Sequence, residues 1–92
     1  MKILQLILLV TLAGPAPGQY LSCGLSERID GKLFRPGVSE RRVLEAEPDR
    51  IVRLETREGG AAGYRYEFYV PGRTVQVYVS QGVVVRVCRV RE

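Results

Sequence analysis

The chain has 92 residues, of which 46% are hydrophobic and 26% are charged, and this length allows one small domain. It contains no His and two Cys, so it lacks a Ser-His or Cys-His pair, an imidazole metal ligand and the four thiolates of a structural zinc site. Fourteen Lys and Arg against ten Asp and Glu give a formal net charge of +4, which is basic but mixed. We therefore expect a non-enzymatic protein with no catalytic residue, no metal and no cofactor.

Residues 1–18 have the features of a signal peptide. Lys2 precedes an apolar run over 3–13, and a small segment with Gly and Pro follows over 14–18. The apolar run is much shorter than the roughly 20 residues that cross a bilayer as a helix. We predict cleavage after residue 18, which leaves 19–92 as a single exported domain, located in the periplasm or associated with the outer membrane.

The two cysteines are predicted to form a disulfide, because an exported chain meets an oxidising compartment. A bridge between Cys23 and Cys88 would close almost the whole domain and would stabilise it by roughly 4 kcal/mol in the chain-entropy model. The alternative for Cys23 is bacterial lipidation, in which this cysteine becomes the first residue and carries a lipid. Tyr20 stands where Leu is normally required for lipidation, and this favours the disulfide.

The segment 19–36 is predicted to consist mainly of loops. Gly24 and the pair Asp30-Gly31 are turn signals, and 32–35 is interpreted as a short strand or an extended segment. No strong periodicity occurs here.

A short helix is predicted over 40–46. Ser39 is a suitable N-cap residue. Pro48 disfavours helical backbone at the residue before it, which limits the helix to about two turns. We expect Val43 and Leu44 to face the core.

Beyond the helix the hydrophobic period changes to two, which is typical of strands with one buried face. Alternating segments occur over 52–57, 64–70, 74–80 and 83–90, with turns at Pro71-Gly72 and Gln81-Gly82. The predicted fold class is α+β, with a short N-terminal helix packed on a three- to four-stranded antiparallel β-meander.

Alternation assigns the aromatic residues to two faces of the predicted sheet. Tyr64, Tyr66 and Phe68 are expected to fill the core, while Tyr69 and Tyr78 fall on the opposite face. Exposed tyrosine near arginine is typical of protein-binding surfaces. We therefore predict a protein-contact face formed by Arg65, Tyr69, Tyr78 and Arg86.

The arginines do not predict nucleic-acid binding, because most lie at outward strand positions or near a carboxylate in the sequence, and export removes the chain from most nucleic acid. A weak contact with an anionic lipid surface through Arg86, Arg89 and Arg91 is a further expectation. The main expected partner is an envelope protein, and the chain is expected to be a monomer.

A series of short motifs occurs in a recognisable order along the chain, namely Cys23-Gly24, Pro36-Gly37-Val38-Ser39, Val43-Leu44, Glu47-Pro48-Asp49, Tyr64-Arg65-Tyr66-Glu67 and Gly82. Their order resembles that of small exported bacterial proteins related to the SmpA/OmlA (BamE-like) outer-membrane assembly lipoproteins. The resemblance spans roughly 23–90, with Ala46 where that family has Gly and Tyr64 where it often has Trp. It implies an α+β fold, export, and a non-enzymatic role in envelope assembly or protein contact.

A weaker resemblance leads to a second hypothesis about function. The segment 64–87, with its Tyr-x-Tyr-Glu opening and its turns at 71–72 and 82, is similar to the sheet of PepSY modules. That resemblance implies a protease inhibitor or chaperone in an exported precursor. The first hypothesis is a protein-interaction or assembly module of the cell envelope, held by one disulfide, and the PepSY-like module is the alternative.

Overall fold

A computed structural model describes residues 20–24 and 26–91 of the protein. The predicted signal peptide, 1–18, and the predicted cleavage site lie outside the described residues. The described part contains one helix and seven strands, which are β1 (Tyr20–Cys23), β2 (Glu27–Ile29), β3 (Lys32–Phe34), α1 (Glu40–Glu45), β4 (Arg50–Glu55), β5 (Ala61–Val70), β6 (Arg73–Ser80) and β7 (Val83–Arg91).

Five strands form one antiparallel sheet in the order β1-β7-β6-β5-β4. Strands β4, β5 and β6 each pair with the next strand along the chain, and β1 pairs with the free edge of β7. Strands β2 and β3 form a separate hairpin. The predicted α+β class is wrong: strands hold 61% of the described residues and helix 9%, so the domain is mostly β.

Two tight turns explain how short connections join neighbouring strands. Asp30 and Gly31 have φ values of 50° and 81°, and Gln81 and Gly82 have 53° and 83°. Two successive positive φ values are typical of the type I′ turn, whose twist matches that of antiparallel strands. Both pairs were predicted as turns, and the first of them closes a hairpin that the sequence did not reveal as such.

The core lies between one face of the large sheet and the two smaller elements. We call this the covered face; its buried side chains are Tyr66, Phe68, Val75, Val77, Val79, Val84 and Val87. The β2–β3 hairpin contributes Ile29 and Phe34, and α1 contributes Val43. Phe34 stacks on Phe68 with ring centroids 5.7 Å apart. Tyr64, predicted to be in the core, is 40% exposed and lies at the core's margin.

Helix α1 is one and a half turns long and buries a single residue. Val43 is fully buried, whereas Leu44 is 45% exposed, so the prediction that both face the core is wrong for Leu44. Ser39 is the N-cap residue but makes no side-chain capping hydrogen bond. Instead the Glu40 N–H donates to the Gly82 carbonyl at 2.9 Å, so the β6–β7 turn satisfies the start of the helix. Within 20–24 and 26–91, no helix has the length and apolar character to cross a membrane.

A buried ion cluster fixes the hairpin to the sheet. Glu27 is 6% exposed; its Oε1 accepts a hydrogen bond from the Arg73 Nε at 3.3 Å, and its Oε2 forms an ion pair with the Arg89 Nε at 3.2 Å. The three side chains come from β2, β6 and β7. The carboxylate is therefore compensated by two guanidinium groups, as a buried charge requires.

A bulge in β7 breaks the alternation that the sequence predicts. The register passes from Tyr78 opposite Arg86 to Val79 opposite Val84, which leaves Val85 without a partner residue on β6. Because of this extra residue, Val84 and Val87 are both buried although their numbers differ by three.

Candidate protein-contact face

The side of the large sheet opposite the core is the candidate functional surface. We call it the open face; its side chains come from alternate positions, namely Arg50, Val52, Leu54, Arg65, Glu67, Tyr69, Thr74, Gln76, Tyr78, Arg86, Cys88, Val90, Leu21 and Cys23. The hairpin and α1 both pack on the covered face. No other helix or strand of the described residues packs on the open face.

The structure places the four residues of the predicted contact face together on the open face. Arg65 on β5 lies opposite Tyr78 on β6, and Tyr78 lies opposite Arg86 on β7. These three residues form one row across three neighbouring strands. Tyr69 lies farther along β5, opposite Thr74, and is 55% exposed.

Glu67 lies at the centre of a hydrogen-bond network on this face. Its residue exposure is 5%, yet its carboxylate is well provided with partners. The Arg65 Nε donates to Oε2 at 2.8 Å, Gln76 Nε2 donates to Oε2 at 3.5 Å, and the Tyr69 hydroxyl donates to Oε1 at 3.4 Å. Arg50 adds an ion pair at 3.8 Å. The network orients two of the predicted contact residues, Arg65 and Tyr69.

The Arg65 guanidinium remains charged in this surrounding. Its partial burial lowers the pKa, but the hydrogen bonds and negative charge of Glu67, together with Tyr78, raise it, and the resulting pKa lies above the ordinary value. Arg65 is therefore positively charged beside Glu67 at physiological pH.

Tyr78 and Arg86 form a second, more exposed unit. The Arg86 guanidinium carbon lies 4.9 Å from the centroid of the Tyr78 ring, a cation–π arrangement. The Tyr78 hydroxyl donates to Gln76 Oε1 at 3.3 Å, which holds the ring in place. Arg86 forms no ion pair with a carboxylate among the described residues. The Arg86 guanidinium therefore faces solvent while the Tyr78 ring packs against it.

The disulfide between Cys23 and Cys88 is confirmed and lies at the edge of the open face. The two residues are directly opposite one another on β1 and β7, with Cα atoms 4.0 Å apart. Leu21, two residues before Cys23, is 67% exposed, and Val90 lies opposite it. Because Cys23 is bonded to Cys88, its sulfur is not free for the thioether that lipidation requires.

The three arginines of the expected lipid contact do not share a surface. Arg86 lies on the open face, whereas Arg89 lies on the covered side and bonds to Glu27. Arg91 lies opposite Arg73, also on the covered side. The alternation of β7 from Arg86 to Arg91 thus separates Arg86 from the other two.

The sequence did not reveal the buried polar residues that organise these surfaces. Glu67 and the partly buried Gln76 occupy positions that alternation assigns to an outer face, where a charged or polar residue is the rule. Glu27 lies in a segment without strong periodicity, so no face could be predicted for it. The available signal for Glu67 was its position between Arg65 and Tyr69 on one strand, since residues two apart share a face.

The Glu67 carboxylate on the open face is engaged by four neighbours, namely Arg65, Tyr69, Gln76 and Arg50. Among the described residues, no group of three or more His, Cys, Asp or Glu could hold a metal ion. Comparisons with protein-family models, curated proteins and solved structures found no match to this chain.

Proposed function

We propose that the protein is a small, exported, non-enzymatic interaction module of the cell envelope, and that its open face contacts a partner protein. The observation that carries this proposal is the row Arg65, Tyr78 and Arg86, flanked by Tyr69, on a sheet face that no other described element covers. Tyrosine and arginine are the side chains that most often contribute large binding energies at interfaces.

The rigidity of the face supports the same function. Arg65 and Tyr69 are held by Glu67, and Tyr78 is held by Gln76. Side chains that are already ordered lose less conformational entropy when a partner binds. The disulfide, which persists in oxidising compartments, supports an extracytoplasmic location.

The PepSY-like alternative gains no support from the fold. The resemblance to those modules implies a longer helix ahead of the sheet, and α1 has six residues. An envelope interaction module, with a monomeric domain that recognises one protein partner, is the function we propose.

The proposal is tested by photocrosslinking in the organism from which the chain comes. A photoreactive residue at Tyr69 or at Tyr78 should yield one discrete crosslinked protein band. The matched control is a photoreactive residue at Leu44, which is 45% exposed but belongs to α1 on the covered side. Purified partner should then bind the wild type and lose most of its affinity for the double variant Tyr69→Ala, Tyr78→Ala.

Two results would contradict the proposal. One is the same crosslinked band from Leu44 as from the two tyrosine positions, which would show that the partner does not specifically contact the open face. The other is unchanged partner affinity in the double variant when circular dichroism shows that it is folded.

A further inference from the structure

We propose that the half of the open face formed by β6, β7 and β1 binds an acidic segment of the partner protein, with Arg86 receiving a carboxylate. This inference rests on the proposed function and specifies the chemistry of the partner. The anchor residues are Tyr78 and Arg86, and the neighbouring apolar surface is formed by Leu21, Val90 and Cys23, whose disulfide partner Cys88 is buried.

The distribution of charge on the open face points to this partner. Its acidic groups lie on the β4–β5 side and are already engaged: Glu67 binds Arg65 and Arg50, and the Asp49 Oδ2 accepts the Tyr69 N–H at 2.7 Å. On the β7 side, Arg86 has no acidic neighbour in the described part of the chain. This half of the face therefore carries an uncompensated positive charge.

The placement of Arg86 favours a carboxylate as its ligand. A guanidinium that stacks on an aromatic ring keeps the edge of its planar fork free, and that fork matches the two oxygens of a carboxylate. Contact with the Tyr78 ring also restricts the Arg86 side chain before binding, so Arg86 loses less conformational entropy when the partner binds. A carboxylate on the partner would therefore form a charge-assisted bidentate hydrogen bond at this point.

Two other occupants fit the observations less well. A second copy of the cleaved chain would bring a net charge of +3, which is the +4 of the full sequence less Lys2, and the two carboxylates nearest its open face are already engaged. An anionic bilayer would require several free cations on one surface, but Arg50 and Arg65 are both paired with Glu67, and Arg89 and Arg91 lie on the opposite side from Arg86. The apolar rim beside Arg86 is instead suited to a protein segment that alternates apolar and acidic residues.

The test is a selection with a displayed library of random peptides, carried out on the disulfide-bonded wild-type protein. We expect the enriched peptides to contain Asp or Glu beside apolar residues, and their NMR shift changes to centre on Tyr78, Arg86 and Val90. Arg86→Gln should lower the affinity of an enriched peptide by about tenfold, the loss expected for a charge-assisted hydrogen bond. Arg86→Lys should have an intermediate effect, because it keeps the charge but loses the fork.

The matched control is Arg57→Gln, which removes the same charge from an exposed turn away from the face. It should change the affinity by less than about twofold, since distant exposed charges are screened by salt. Enriched peptides that bind the open face without carboxylates, or that bind Arg86→Gln as well as wild type, would overturn this inference and leave the proposed function standing. Peptides that bind elsewhere, or no enrichment at all, would count against both.

Two further measurements identify what the open face binds if the inference is wrong. Flotation of the protein with vesicles of phosphatidylethanolamine and phosphatidylglycerol, if abolished by Arg86→Gln, would assign the face to a bilayer. A dimer in sedimentation equilibrium that dissociates on Arg86→Gln would assign it to a second copy of the chain. Either result would overturn the proposal of an acidic protein segment.

Discussion

Glu67 shows how a single carboxylate is kept in a buried position on an otherwise polar face. It is 5% exposed and has Arg65, Arg50, Tyr69 and Gln76 as partners. The burial of a charge is tolerated where opposite charge and hydrogen bonds replace the water that is lost. Removal of the Glu67 charge should therefore destabilise the fold more than removal of the charge of an exposed carboxylate.

We predict that Glu67→Gln lowers the free energy of unfolding by about 1–3 kcal/mol, because the Arg65 guanidinium loses its charged acceptor. Urea denaturation followed by circular dichroism measures this change. The matched control is Glu55→Gln: Glu55 pairs with Arg53 at 3.1 Å, and both side chains are more than half exposed. This control should cost less than about 1 kcal/mol, and equal losses in the two variants would contradict the role assigned to Glu67.

Tyr66 gives the domain a defined dependence on alkaline pH. Burial raises the pKa of its phenol, and the hydrogen bond to Glu40 and the charge of that carboxylate raise it further. The unfolded chain loses this proton near pH 10, whereas the folded chain keeps it to higher pH. Above about pH 10 the unfolded state therefore binds fewer protons, and stability falls as the pH rises.

The corresponding prediction compares wild type with Tyr66→Phe. The contribution of Tyr66 to stability is fully present below about pH 10 and is lost progressively as the pH rises toward the folded pKa. The stability difference between the two proteins should therefore shrink between about pH 9 and about pH 11 in urea titrations. A difference that stays constant across this range would show that the phenol ionises alike in both states.

Some side-chain positions could be derived from alternation and others could not. The shared face of Arg65, Tyr69, Tyr78 and Arg86 follows from period two along three regular strands. The burial of Glu67 does not, because it depends on how neighbouring strands align. The sequence pattern predicts which face of the sheet a residue occupies, whereas the register between strands determines which side chains it contacts.

At the scale of the element, α1 contributes one fully buried side chain to the core. Val43 is fully buried, while Leu44, the larger side chain, is 45% exposed. A helix of six residues has little stability of its own, so it depends on tertiary packing. The contribution of the helix to the core is therefore concentrated in Val43.

We expect Val43→Ala to lower the free energy of unfolding by about 2 kcal/mol, which combines the lost methyl transfer energy with a cavity term. The neighbouring Leu44→Ala should cost less than about 1 kcal/mol although it removes more atoms, because much of that side chain is already in water. Thermal or urea denaturation of the two variants measures both losses of stability. A larger loss for Leu44→Ala would place that side chain inside the core, as the sequence pattern alone suggested.

Strand prediction succeeded where the strands are long and regular. Strands β5, β6 and β7 have eight to ten residues with clear alternation and are joined by recognisable turns. Strands β1, β2 and β3 have three or four residues each, too few for periodicity to be evident. The fold class was wrong for this reason: β1 and β2 were expected to be loop, and β3 was interpreted only as a short strand or an extended segment.

The whole molecule is closed by the pairing of its first strand with its last. Strand β1 lies beside β7, and the disulfide joins them across 65 residues of sequence. In the chain-entropy model a loop of this length contributes about 4 kcal/mol, a large share of the stability of so small a domain. A four-residue edge strand has few other contacts, so the bridge is the main feature that holds β1 in place.

This dependence, together with the predicted signal peptide, leads to a prediction about the mature protein. The protein purified from its native cells should have the intact mass of residues 19–92 less two hydrogens, because export removes the first 18 residues and oxidation joins Cys23 to Cys88. Reduction should add two hydrogens, alkylation should then replace each thiol hydrogen with one alkyl group, and the reduced protein should have a lower unfolding midpoint in urea. Alkylation without reduction should leave the mass unchanged.

The possible masses separate the alternatives for this chain. The mass of all 92 residues would show that no segment is removed and would remove the basis for placing the protein in the envelope. A mass that starts at Cys23 and includes acyl chains would mean that this sulfur carries a lipid, that Cys88 is unpaired, and that 20–22, three of the four residues of β1, have been removed. In that case the open face would have to act close to a bilayer, and the partner of Arg86 would be sought among proteins of that surface.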